Sequence, residues 1–336
     1  MKAIVQDAYG SADALELREI DQPVVGEYEV LVRVHAASVH PDVWHVVRGL
    51  PYVLRLMGAG LRRPKNPVPG TDVAGRVEAV GKRVTRFAPG DEVFGESVTG
   101  YSWANGGAFA EYAAVAQDSL APKPGNVTFE QAAAVPSSGF IVLQNLRAAG
   151  QVKAGQRVLV NGAGGGVGTL AVQLAKAYGA EVTGVDSTTK LDAIRSLGTD
   201  HVIDYTQEDF TRGGERYDLV FDVPGNHSFS ACRRALTPQG TYLLIGHDHF
   251  GERGHRLLGS LPRFLRLAVL SPFVRQLPRP SLSILTKKEA MSVLSGFLES
   301  GELTPLVDRT FPLSEVPEAI RYLGEGQACG KVVVTM

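Results

Sequence analysis

The sequence predicts an α/β protein in which a β-rich portion is joined to a doubly wound parallel sheet, and three observations carry that prediction. Near the middle of the 336 residues, Arg157-Val158-Leu159-Val160 runs into a glycine cluster, Gly162 to Gly168, and Thr169–Tyr178 follows with helical spacing before Gly179. Beyond that turn, strand-like and helix-like stretches alternate, a rhythm that builds a parallel sheet with helices on both faces. Ahead of it, short Val-rich stretches of alternating polarity are separated by turns and show no such rhythm.

In chain order, Lys2–Gln6, Leu15–Ile20, Glu29–Val39, Val73–Val80, Glu92–Gly95 and Phe109–Val115 are expected strands, divided by turns such as Pro89-Gly90-Asp91 and Asn105-Gly106-Gly107. Helices are expected at Phe129–Ala134 and Gly139–Ala149. The second portion then offers strands at 157–161, 181–186, 201–204, 217–222, 240–246 and 281–286, which makes a six-stranded sheet. Ser187 or Thr188 is placed to cap a helix over Lys190–Leu197, which Gly198 ends. A helix at Lys287–Glu299, a short one at Val316–Leu323 and a last strand at Lys331–Thr335 return to the first portion. The expected domains are therefore a discontinuous one, 1–126 with 287–336, and an inserted one, 127–286.

Composition narrows the function. With 34 Lys and Arg against 35 Asp and Glu, the net charge is −1, so no global field favours nucleic acid. The start, Met1-Lys2-Ala3-Ile4-Val5-Gln6-Asp7, lacks the apolar core of a secretion signal, and no stretch reaches the roughly 18 uncharged apolar residues of a membrane span, so a cytoplasmic location is expected. The two cysteines, Cys232 and Cys329, lie far apart and supply neither a disulfide framework nor a cysteine metal site.

The glycine cluster points to a ligand. Glycines let a backbone bend sharply and approach a diphosphate closely, while the N–H groups and dipole of the following helix attract its charge. The strict G-x-G-x-x-G register is broken; what stands is Gly162-x-x-Gly165-x-x-Gly168, with Gly164, Gly166 and Val167 between. After the helix, Glu181–Asp186 reads as a second strand ending in an acid, near the roughly 20-residue spacing of a ribose-binding carboxylate. A dinucleotide is the expected guest; the competing reading is a glycine turn with no ligand.

Several segments together resemble the medium-chain dehydrogenase/reductase superfamily in its zinc-independent quinone oxidoreductase, zeta-crystallin-like branch. They are Ala36-Ala37-Ser38-Val39-His40-Pro41 with Arg48-Gly49, Gly70-Thr71-Asp72-Val73-Ala74-Gly75-Arg76-Val77-Glu78-Ala79-Val80-Gly81, Phe87–Phe94, Gly107-Ala108-Phe109-Ala110-Glu111-Tyr112, the glycine turn, and Gly330-Lys331-Val332-Val333. The resemblance implies a GroES-like substrate domain, a Rossmann cofactor domain, hydride transfer from a nicotinamide, and a homodimer joined through the edge strand expected at 281–286. It also implies cofactor contacts at Gly162, Gly164, Gly165, Gly166, Val167, Asp186, Ser187, Lys190, Val223, Gly246 and Lys331.

No zinc is expected. Zinc alcohol dehydrogenases of the superfamily carry G-H-E where this chain has Gly70-Thr71-Asp72, and no cysteine stands near Pro41 or Ser137. A catalytic zinc needs about three nitrogen, sulfur or carboxylate ligands. Without that Lewis acid, acceptors that spread charge by conjugation, quinones and α,β-unsaturated carbonyls, are favoured over simple alcohols.

Three residues are catalytic candidates. His40 replaces the asparagine of the family's V-N-P-x-D-W and would donate a hydrogen bond to a carbonyl oxygen; the competing role is to hold its loop. Tyr52 would offer a phenolic proton, against simple packing. Thr71 would position substrate. His45 and Asp42 read as solvent-facing or structural. Cofactor choice is divided: Asp186 favours the free ribose of NADH, whereas Ser187, Thr189 and Lys190 resemble phosphate-binding residues of relatives and favour NADPH, the preferred reading. Two segments, Leu50–Pro67 and Gly251–Pro280, mix large apolar residues with arginines. They read as lids or a dimer contact, with a membrane surface as the less favoured alternative. The expected activity is hydride transfer to a quinone, enone or enoyl acceptor. The alternatives are an alcohol dehydrogenase-like enzyme, a dedicated biosynthetic enoyl reductase, or a nucleotide-binding sensor without turnover.

Overall fold

The computed structural model describes all residues except 99–102, 151, 247–255 and 280–284. In chain order the strands are β1 (Lys2–Gln6), β2 (Leu15–Glu19), β3 (Glu29–Val39), β4 (Asp72–Val80), β5 (Glu92–Glu96), β6 (Tyr112–Ala116), β7 (Leu120–Pro122), β8 (Arg157–Asn161), β9 (Glu181–Asp186), β10 (His201–Asp204), β11 (Tyr217–Asp222), β12 (Leu236–Leu244), β13 (Val307–Pro312) and β14 (Lys331–Thr335). The helices are α1 (Pro41–Arg48), α2 (Phe129–Ala133), α3 (Pro136–Ala148), α4 (Gly168–Ala177), α5 (Leu191–Ser196), α6 (Phe229–Arg234), α7 (Leu261–Leu270), α8 (Lys287–Ser300) and α9 (Val316–Gly324).

Two compact units result. One comprises Met1–Phe140, His255–Gly259 and Thr286–Met336; the other comprises Ile141–Gly254 and Ser260–Leu285. The first unit runs past residue 126, because α2 packs on β3 and β4.

The first unit holds a seven-stranded sheet in the order β13-β14-β3-β4-β5-β7, with β6 also on β3; β1 and β2 form a separate antiparallel pair. Only β13 and β14 run parallel in the large sheet. β3 is its backbone: apolar residues line it almost throughout, as a strand with neighbours on both edges requires. The expected strand over Phe109–Val115 is divided, since the Phe109 carbonyl accepts from Ile4 while Tyr112–Ala116 pairs with β3. A helix unforeseen from the pattern, α1, follows β3. Pro41 stands in its first turn, where a missing N–H is harmless, Val43, Trp44, Val46 and Val47 are buried, and Gly49 closes it at φ 61°. α8 begins with a capping box between Thr286 and Glu289 and ends at Gly301 with φ 76°.

The second unit contains a parallel sheet in the order β10-β9-β8-β11-β12, strands leaving the first one in both directions. Five strands are described; the sixth, expected over 281–286, falls on residues 281–284, outside the described residues, and Thr286 serves as the cap of α8. The last described strand starts earlier than 240, at Leu236. The expected cap of α5 is also corrected. A 3-10 turn, Thr188–Lys190, precedes the helix; the Ser187 hydroxyl pairs with Asp186 and Thr189, and that of Thr188 donates to Asp204. Nearby carboxylates outcompete the helix for those hydroxyls.

The two apolar, basic segments meet in the first unit, where the N–H groups of Tyr52 and Val53 donate to the carbonyls of Arg256 and Leu257 at 2.7 and 3.0 Å. Leu56, Met57, Leu61 and Leu257 are exposed there. Among the described residues, no helix is long and apolar enough to cross a membrane.

Candidate active site

In the second unit the site is made of backbone. β8 ends at Asn161 and the chain turns at Gly162 with φ 78°, a left-handed value that side chains rarely adopt. The Gly162 and Ala163 N–H groups donate to Val185, that of Gly164 to Asp186 Oδ2 at 2.8 Å, and that of Gly165 back to Gly162. Among the described residues no acceptor takes the N–H of Gly166 or Val167, at the amino end of α4. A Cβ on Gly168 would stand 2.0 Å from the Gly162 carbonyl oxygen, so helix and turn touch only because the side chain is missing. Among the described residues, a Cβ on Gly165 would meet nothing nearer than 3.6 Å. An open glycine beside unclaimed N–H groups at a helix amino end fits a diphosphate.

Around the turn, Asp186 is buried, its other oxygen accepting the Ser187 N–H at 2.8 Å. The Lys190 methylenes pass 2.9 Å from where a Cβ on Gly164 would be. Asp222, buried at the end of β11, accepts from Asn161 Nδ2 at 2.8 Å, Gly225 N–H at 3.0 Å and the Tyr242 hydroxyl at 2.7 Å. Burial and this carboxylate push the Tyr242 hydroxyl well above its usual range and the Cys232 thiol up to about 12, so that cysteine is no nucleophile. Val223 N–H donates to Asn161 and its carbonyl accepts from Gly246, which tucks both residues at the strand ends.

In the first unit the site is made of side chains. Asp72, fully buried on β4, accepts from Ser38 Oγ at 2.6 Å, from the Ser137 N–H at 3.0 Å and from the Ser137 hydroxyl. Lys331, only 3% exposed on β14, brings Nζ to 3.5 Å from Asp72 Oδ2 and 3.3 Å from Ser138 Oγ. Burial lowers the Lys331 pKa, and Asp72 pulls against that. Thr71 Oγ1 lies 3.3 Å from Ser137 Oγ. Next to this centre, Glu96 on β5 faces Lys287 Nζ at 3.0 Å; burial, helped by the charge of Asp72, raises its pKa while Lys287 opposes the rise.

His40 sits where β3 passes into α1 and is the helix N-cap: the Asp42 N–H donates to its Nδ1 at 3.2 Å. Asp42 Oδ2 is 3.4 Å from the same nitrogen. The other ring nitrogen, Nε2, is buried without a hydrogen-bond partner among the described residues. Burial alone would raise the Asp42 pKa, but attraction to His40, a hydrogen bond with it, and His45 hold the carboxyl below its ordinary value.

Thr71 and Lys331 thus share one cluster, and His40 adjoins it through its electrostatic interaction with Glu96. Tyr52 stands apart from them, 41% exposed, with the Arg55 guanidinium 4.8 Å above its ring. Asp42 and His45 are structural rather than solvent-facing: His45 is buried and its Nδ1 lies 2.9 Å from the Leu50 carbonyl. Ser38, Glu96, Ser137, Ser138, Lys287, Asn161 and Asp222 were not foreseen. Asp222, an acid closing an apolar strand, and the serine pair after Pro136 had a local signal; Glu96 and Lys287 had none.

Residues 26–125 match the family model described as alcohol dehydrogenase GroES-like domain, and 197–334 match that described as zinc-binding dehydrogenase. A 2-methylene-furan-3-one reductase of Solanum lycopersicum is 34% identical over 347 residues, spanning 99% of this chain and 79% of that protein. The NADPH-dependent alkenal/one oxidoreductase of Arabidopsis thaliana chloroplasts is 35% identical over the same shares. The quinone oxidoreductase of Coxiella burnetii superposes with a TM-score of 0.82 at 27% identity, covering 100% of this chain and 99% of that one. A GroES-like unit with a parallel nucleotide-type sheet is the architecture of medium-chain dehydrogenases and reductases, and the chain belongs to that superfamily. Within it, the chain stands in the quinone oxidoreductase branch.

One of those family models implies zinc, and the residues do not fit it. Thr71 offers only a hydroxyl, which it shares with Ser137, Asp72 is committed to hydrogen bonds, and among the described residues no three His, Cys, Asp or Glu side chains are grouped to hold a metal ion.

Proposed function

We propose that the protein is a zinc-independent, NADPH-dependent reductase that delivers hydride to a quinone or an α,β-unsaturated carbonyl, in the cytoplasm. The observation that carries this reading is the cradle at Gly165–Gly168, open above Gly165 and with the Gly166 and Val167 N–H groups unclaimed among the described residues. A bound reduced nicotinamide would supply a hydride, a proton with two electrons, to the electron-poor carbon of the acceptor.

This chain's residues do the rest. The turn and α4 hold the diphosphate, with Gly162, Gly164, Val223 and Gly246 shaping the strand ends. His40 Nε2, buried and unpartnered, meets the acceptor oxygen as it gains charge, which solvent then protonates. Thr71, held by Ser137, positions the acceptor, and the Asp72–Lys331 pair fixes both serines. NADPH is favoured because Asp186 spends both oxygens on backbone N–H groups and Lys190 lies along the turn, so the carboxylate's charge is partly offset where a 2′-phosphate would approach. The first unit acts as the substrate domain and the second as the cofactor domain. Two copies associate into a homodimer, to be checked by ultracentrifugation of the wild-type chain.

The test is consumption of NADPH or NADH, followed by its absorbance, with quinones, enals and enones as acceptors. Turnover with NADPH preferred is expected. Nucleotide binding without turnover on any acceptor would favour a sensor, and one zinc per chain would overturn the metal-free assignment.

A further inference from the structure

Resting on the reading of His40 as the group that meets the acceptor oxygen, we propose that its imidazole keeps a hydrogen-bond donor at Nε2 in both protonation states, because Asp42 gives Nδ1 a different partner in each. Asp42 is then a positioning residue, and His40 is a donor whose charge changes while its geometry does not.

Two contacts to one atom carry this. The Asp42 N–H points at Nδ1 from 3.2 Å. A donor there needs a lone pair, so the neutral ring must carry its single proton on Nε2. A neutral ring protonated at Nδ1 would give up the Asp42 N–H bond and the cap of α1 without the charge attraction to the carboxylate that a doubly protonated ring gains in exchange. When the ring gains a second proton, Nδ1 becomes a donor, and a carboxylate oxygen already waits 3.4 Å away in Asp42 Oδ2. That carboxyl is held below its ordinary pKa, so it is ionised when the ring charges. One residue thus supplies a backbone donor for the neutral ring and a side-chain acceptor for the charged one.

Nε2 is the end that matters chemically. It is buried and has no partner among the described residues, so its N–H has an unmet demand for an acceptor, which an oxygen gaining negative charge would satisfy. The charged ring adds electrostatic attraction to the same hydrogen bond. The other ionisable groups facing this pair are His45 on α1, Glu96 on β5 and Lys331 on β14. None of them bonds to His40 Nε2, so none competes for the donor position.

Nitrogen NMR of the wild-type protein across a pH titration reads the tautomer directly, with no nucleotide or acceptor present. The expected result is a neutral ring protonated at Nε2, and a doubly protonated ring at lower pH. A neutral ring protonated at Nδ1 overturns the proposal.

Turnover supplies the second arm. The rate should pass between two non-zero plateaus, higher on the acid side, and His40→Gln, which keeps an N–H but cannot titrate, should give a pH-independent rate. His40→Ala should lose about 100-fold on both plateaus. A wild-type rate that falls to zero on the alkaline side overturns the proposal. Absence of turnover on every acceptor defeats the reductase reading instead, and the NMR result still decides the tautomer.

Discussion

The two units build their sites from opposite materials. In the second, the ligand cradle is main chain, and what shapes it is the lack of side chains at Gly162, Gly165 and Gly168. In the first, the centre is all side chain: Asp72, Lys331, three serines and Thr71, drawn from β3, β4, β14 and the start of α3. A backbone site fails when something is added to it. A side-chain site fails when something is taken away. The difference separates two kinds of rigidity, steric at the turn and electrostatic at the buried pair.

Substitutions can break or sharpen that contrast. The largest effect should come from Gly168→Ala, since its methyl would sit 2.0 Å from a backbone oxygen that cannot give way. A loss above about 4 kcal/mol in denaturant unfolding is expected. Asp72→Ala removes the countercharge of a buried ammonium and strips the Ser38 and Ser137 hydroxyls of their acceptor. That should cost about 3–5 kcal/mol by the same measurement, with much of it recovered by the double variant Asp72→Ala/Lys331→Met.

Gly165→Ala is the sharper probe of the turn. Among the described residues its methyl meets nothing nearer than 3.6 Å, so stability should move by less than about 0.5 kcal/mol, whereas NADPH affinity should fall at least about tenfold in a fluorescence titration. If it melts as Gly168→Ala does, the turn is steric scaffolding and no cradle. The smallest effect is a matter of pH. Because Asp42 is held below its ordinary pKa in the folded chain, its contribution is full above about 4, the unfolded value, and is lost as pH falls through the lower folded one. Wild type should therefore exceed Asp42→Asn in stability near neutral pH, and thermal unfolding should show the gap closing in acid.

That same division explains what could be read in advance. The cradle lies within a dozen consecutive residues, and strand, glycine turn and helix each leave a local pattern. The parallel strands around it were visible for the same reason, down to the ends of β8, β9, β10 and β11. The centre of the first unit gathers positions 38, 72, 137, 138 and 331, and alternation along a strand reveals which face a residue takes but not which distant residue it will meet. Thr71 and Lys331 were singled out by resemblance, whereas Glu96 and Lys287 left no trace because one acid on a strand and one base at a helix start are ordinary. Asp42 was passed over as structural, and it is; its importance lies in which nitrogen of His40 it holds. The hydroxyls of Ser187 and Thr188 looked like caps because spacing alone does not show that Asp186 and Asp204 compete for them.

Lys331 reaches Asp72 across 259 positions of chain, and everything the cradle needs is encoded between them. During synthesis the nucleotide-holding unit can therefore close while its neighbour still waits for its last strands, β13 and β14. A ribosome-bound chain halted after residue 285 would carry the whole glycine turn and α4, while Asp72 would still lack Lys331, so the two halves of the proposed site are completed at different moments of synthesis.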